Sequence, residues 1–133
     1  MNFRRIQMTL SLKESQAVIE LANILYDFLP ANPHPSANPA LSFPGVAQKL
    51  GLQNFWQAGS KRPAITALLN NTLGNERGRF CPLILEVVKT AFIYRANKNP
   101  VTREEIIALN SAVQRIGFKI PDLWEADFLV LPL

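Results

Sequence analysis

Prolines partition this chain before any other signal acts. Proline fixes φ and has no backbone N–H, so it is excluded from helix interiors and from the middle of a sheet. Five of the 10 prolines (Pro30, Pro33, Pro35, Pro39 and Pro44) fall within PANPHPSANPALSFP, residues 30–44. A proline-rich loop over 30–43 is therefore predicted, long for a connection inside a compact domain. Regular structure has to fit the runs outside it.

Those runs carry helical periodicity. Ser11 and Glu14 have capping-box spacing, in which each side chain serves a free backbone N–H at a helix start. Val18, Leu21, Ala22, Leu25, Phe28 and Leu29 then form one apolar face, predicting a first helix over 12–29 that Pro30 stops. Ser42 as cap, Pro44 in the first turn and the apolar set Phe43, Val46, Ala47 and Leu50 predict a second helix over 43–51, with Gly51 as its left-handed exit. After LQNFWQAG, Ser60 and Pro63 open a third helix over 60–73, with Ile65, Leu68, Leu69 and Thr72 inward and Gly74 as its stop. Residues 80–97 are apolar around most of a helix circumference, which predicts the central helix of the fold. Thr102 and Glu105 form a second capping box, opening a fifth helix that runs to Gly117 through Ile106, Leu109, Val113 and Ile116. Pro121 can begin a short sixth helix through DLWEADFL. No strand alternation, heptad seam or internal repeat appears. The expectation is an all-α, single-domain bundle of five or six helices spanning 1–133.

At 133 residues, with 48% hydrophobic and 18% charged residues, the chain is able to bury one core without staples. Its one cysteine, Cys81, rules out an internal disulfide. PLILEVV is cut by Glu86 and then Lys89, short of a membrane span. Arg4 and Arg5 precede no apolar export core, so residues 1–10 read as a basic tail and the expected location is cytoplasmic. The net charge of +4 is uneven: residues 44–103 hold nine bases against Glu76 and Glu86 alone, whereas 104–133 are acidic. A basic middle fits an anionic partner.

Within SFPGVAQKLGL (42–52), Ala47 and Gly51 have the spacing of the small residue and the turn glycine of a helix-turn-helix, with Val46, Leu50 and Leu52 apolar around them. The stretch resembles the first helix and turn of that motif. It departs from the pattern beyond Gly51, because Phe55 and Trp56 lie in a longer gap before Ser60. The resemblance implies that helix 60–73 enters a DNA groove. Lys61 and Arg62 would then meet phosphate at its positive end. Thr66, Ala67, Asn70 and Asn71, away from the Ile65/Leu68/Leu69 face, would turn toward solvent, where Asn suits adenine and Ala or Thr a thymine methyl. Arg95 and Lys98 suit the C-terminal end of helix 80–97, but Arg77 and Arg79 precede its start, where the dipole disfavours cations. An anionic partner would explain those two.

The expected function is a non-enzymatic helical binding module for DNA or RNA, using Lys61, Arg62, Thr66, Asn70, Arg77 and Arg79. The alternative is a protein-interaction or adaptor domain of a larger assembly, using exposed Phe55, Trp56 and Trp124. Cys81 with His34 as base makes a poor nucleophile pair, because a lone cysteine in RFCPLI reads as core. His34 has no ligand at metal spacing, Glu104 and Glu105 belong to a helix start, and no phosphate-binding glycine loop is present. No metal, cofactor, small-molecule substrate or membrane partner is expected.

Overall fold

Capping chemistry sets the first and last of the described helices. Helix α1 (Leu12–Leu25) starts at Ser11, whose Oγ accepts from the Glu14 N–H at 3.1 Å while Glu14 Oε1 accepts from the Ser11 N–H at 3.1 Å. Helix α5 (Arg103–Arg115) starts with the same reciprocal pair, Thr102 and Glu105. Between them lie α2 (Phe43–Lys49), α3 (Lys61–Asn75) and α4 (Phe80–Tyr94), with single 3-10 turns at Gln53–Phe55 and Arg77–Arg79. The computed structural model describes residues 10–119, and no strand occurs among them. The fold is all-α. No described helix is long and apolar enough to cross a membrane. The expected sixth helix, Trp124 and the basic tail up to residue 9 lie outside the described residues.

Helix ends differ from the periodicity in instructive ways. α1 stops at Leu25 rather than 29, where the Phe28 N–H bonds the Leu25 carbonyl at 2.9 Å in a tighter turn ahead of Pro30. Phe28 and Leu29 still reach the core, both at 1% exposure or less. α3 runs one residue past Gly74, which is buried as its penultimate residue. α4 ends at Tyr94, three residues short of 97, as Arg95 turns inward.

Helix α2 is held at both ends. Ser42 is fully buried; its Oγ donates to the Pro39 carbonyl at 2.7 Å and accepts from the Gly45 N–H at 3.1 Å. A Cβ on Gly45 would lie 2.3 Å from the Pro39 carbonyl oxygen, so only glycine lets the preceding chain pass this close. The Phe43 N–H bonds the Pro30 carbonyl at 3.0 Å, bringing together the two ends of the proline-bearing stretch. At the far end Gly51 takes φ +74, and bonds from Leu52 N–H to Ala47 O (2.7 Å) and Gly51 N–H to Gln48 O (3.1 Å) complete a Schellman exit.

Packing runs in the order α5, α1, α3, α4, α2. That order puts α3, not the more apolar α4, in the middle. The expectation of a central α4 fails at its last turn, where Ile93 and Tyr94 are exposed. Apolar content measured what α4 can bury, whereas the small residues Ala64, Ala67 and Gly74 suit α3 to tight enclosure. The core joins Leu21 and Leu25 of α1, Phe43 of α2, Leu68 and Leu69 of α3, Leu83 and Val88 of α4, and Leu109 and Val113 of α5.

Ion pairs join helices, among them Arg95–Glu105 and Arg115–Glu20. Arg95, 5% exposed, donates to both Glu105 carboxylate oxygens at 3.0 Å and to the Asn99 and Pro100 carbonyls at 2.6 and 3.3 Å, with its guanidinium over the Phe28 ring. It is therefore a buried strut between α4 and α5, beyond the helix-dipole role its position suggests. Arg115 donates to Glu20 through both terminal guanidinium nitrogens, tying α5 to α1.

Candidate nucleic-acid interface

The start of α3 gathers side chains from four places in the chain. Lys61 Nζ lies 4.5 Å from the centre of the Tyr26 ring and 6.0 Å from that of Phe43. The Arg62 guanidinium lies 4.7 Å from the same Tyr26 ring. Phe43 in turn stacks on Trp56, with centroids 5.8 Å apart and planes 9° from parallel. Cation–π attraction and stacking thus link Arg62, Tyr26, Lys61, Phe43 and Trp56 into one cluster. Phe43 is buried, Tyr26, Trp56 and Lys61 are half-buried, and Arg62 is exposed. Burial pushes the Lys61 ammonium below its usual pKa, and the nearby charge of Asp27 pulls part of the way back.

Helix chemistry makes this arrangement unusual. Ser60 precedes α3 but its side chain makes no capping bond, and no acidic residue stands in the first turn. Two cations occupy a position where the helix dipole favours anions. Lys61 and Arg62, both expected to contact phosphate, are brought together here, and Trp56 of the alternative set joins them. Phe55, half-buried against the core, belongs to the adjacent 3-10 turn.

Arg77 and Arg79 stand apart from that cluster and have internal partners. Arg77 bonds Glu14 at the start of α1, donates to the Leu73 carbonyl at 3.4 Å, and lies 5.5 Å from the centre of the Phe118 ring. The Arg77 guanidinium, with the Ser11 N–H adding to it, holds the Glu14 carboxyl below its usual pKa. Arg79 Nη1 donates to the Leu50 carbonyl at 2.6 Å, and Glu76 lies 3.8 Å from its Nε. A Cβ at Gly51 would come within 2.8 Å of Arg79 Nη1, so the guanidinium would have to shift to accommodate it. The last glycine of SFPGVAQKLGL turns the chain, and the Leu50 carbonyl just before it accepts from Arg79. Arg77 and Arg79 thus each have a carboxylate and a carbonyl as intramolecular partners.

Helix α3 also differs from a solvent-facing reader. Thr66, Ala67, Asn70 and Asn71 are half-buried rather than exposed, because the central helix is packed on more than one side. Asn70 Oδ1 and Thr72 Oγ1 are enclosed without a hydrogen-bond partner. α2 packs against α4, reinforced by a Lys49–Glu86 ion pair at 2.8 Å, and α3 begins only after the 3-10 turn. The tight α2–α3 turn of a helix-turn-helix is absent.

Other reactive groups have local explanations. Burial raises the Cys81 thiol above its usual pKa, the reverse of what a nucleophile needs. His34 Nδ1 engages Ser36 Oγ at 2.8 Å within its own turn. Among the described residues, no group of three or more His, Cys, Asp or Glu is placed to hold a metal ion. Sequence reasoning missed Tyr26, Asp27 and Phe43 as members of the cluster. No spacing rule links residue 26 to residue 61, and Phe43 signalled only core. The chain matches no protein-family model, and no curated protein or solved structure is detectably similar to it.

Proposed function

We propose that the chain is a non-enzymatic helical binding domain whose partner is nucleic acid, engaged at the start of α3 by Lys61 and Arg62. One observation carries this reading: an uncapped helix N-terminus bearing two cations and no acid. Free N–H groups, the dipole and both side chains there all favour a phosphate. The α3 start supplies the contact by itself, without a tight pairing of α2 with α3. The test is fluorescence anisotropy of labelled oligonucleotides with the full chain across a salt series. Affinity should fall steeply with salt, and Lys61→Ala and Arg62→Ala should each reduce the log–log slope by about one unit while weakening all sequences alike. No binding of DNA or RNA at about 50 mM salt would end the proposal.

A protein partner is the second reading. Leu12, Ile19, Ile93, Tyr94 and Ile107 are large apolar side chains left exposed, a feature that a polyanion does not use. A salt-independent complex with a protein would favour it.

A further inference from the structure

We propose that the cluster at the start of α3 selects single-stranded over double-stranded nucleic acid; this rests on the nucleic-acid reading above and deepens it. Lys61 and Arg62 are seated against Tyr26, and the Phe43–Trp56 stack adjoins them. Phe43 is only 1% exposed, so the ring of Trp56 that it covers has one face against the core. The indole is half-buried, so part of it remains accessible beside the two cations. Cations interleaved with an aromatic platform fit a strand whose bases and phosphates are both available. Bases inside a duplex are stacked on one another and offer no π-face to Trp56, whereas an unpaired base does.

A second observation points the same way. Reading a duplex through its major groove requires side chains that project freely from a helix. Thr66 and Asn70 are half-buried, and Asn70 Oδ1 is enclosed, so α3 offers few such readers. What it offers is its first turn, where backbone phosphates and one or two unstacked bases fit. Asp27 is exposed, and its negative charge acts on Lys61. Its neutralisation is therefore a sensitive probe that leaves the core untouched.

The experiment compares one labelled mixed-sequence oligonucleotide, as DNA and as RNA, with its own duplex, by anisotropy at fixed low salt. The single strands should bind at least about ten-fold tighter than the duplex, since one stacked base is worth roughly 5- to 150-fold. Asp27→Asn should tighten single-strand binding several-fold. Titration of a single strand should quench tryptophan emission, and Trp56→Phe should remove most of that quench. Trp56→Ala should abolish the preference for single strands; if that variant does not fold, the quench and its loss in Trp56→Phe decide the matter. Equal, salt-sensitive binding of strand and duplex would overturn this inference and leave the proposed function standing. No binding of either would overturn both. An unquenched parent, or an Asp27→Asn variant that binds no tighter, would remove the cluster from the site.

Discussion

The start of α3 reverses the starts of α1 and α5 in hydrogen bonding and in charge. In α1 and α5 a hydroxyl and a glutamate satisfy backbone N–H groups reciprocally, and the glutamate adds negative charge where the dipole favours it. In α3 the hydroxyl of Ser60 caps nothing, and Lys61 and Arg62 place positive charge at the same pole. Helices α1 and α5 are thus stabilised at their starts by their own local sequence. The middle helix is held by burial on several sides, so its end is free to carry an arrangement that costs stability. Local optimisation on two helices and its absence on a third locate the place where a ligand has something to gain.

Three experiments sharpen or break that contrast. The largest effect belongs to Glu105→Gln, which keeps a capping amide but leaves the buried Arg95 guanidinium without its counter-charge. A loss of about 3 kcal/mol is expected, near the low end for a broken buried pair because the Asn99 and Pro100 carbonyls remain. Burial works against the Glu105 carboxylate, but Arg95 and the Thr102 N–H outweigh it, so its pKa lies below the ordinary 4.5. A carboxyl with a depressed folded-state pKa contributes stability above its unfolded value, and loses it as pH falls through the folded one. Thermal melting of the parent should therefore decline below about pH 4.5, as Glu14 and Glu20 also lose their lowered-pKa advantage. The Glu105→Gln variant should decline less. An identical acid profile in both would show that the pair contributes nothing.

Next come the caps. Ser11→Ala and Thr102→Ala should each cost about 1 kcal/mol in urea unfolding, whereas Ser60→Ala should change little. Equal losses at all three positions would mean that Ser60 caps α3 in solution, and the contrast would collapse. The smallest effect tests the trade between stability and binding. Ser60→Asp supplies the missing negative charge and should raise stability by about 0.5 kcal/mol, while weakening nucleic-acid binding measurably. A stabilised variant that binds as well as the parent would separate the α3 start from the function.

What sequence reasoning could read was local. Both capping boxes are three-residue relations, and the turn at Gly51 is a property of one residue and its neighbours. The apolar faces of α1, α3 and α5 were legible for the same reason, since periodicity needs only the helix itself. It does not say which helix lies opposite, and so the middle position went to α4 on apolar content. The partners of the basic residues were equally hidden. Glu14 lies 63 residues from Arg77 in the chain, and the Leu50 carbonyl lies 29 from Arg79. Arg77 and Arg79 therefore have partners within the fold that no local pattern could announce. Gly45 carried a signal that passed unread: a glycine just inside a helix start, where propensity disfavours it, marks another backbone passing close.

The bond from Phe43 N–H to the Pro30 carbonyl has a consequence for engineering. It brings the two ends of the intervening stretch within hydrogen-bonding distance, while residues 34–40 at its tip are exposed. The entropy of closing such a loop grows only with the logarithm of its length. A reporter peptide inserted between Ser36 and Ala37, or new chain termini opened there, should leave the helices in register. The same tip offers a protease its easiest cut, and the two fragments should remain associated through the shared core.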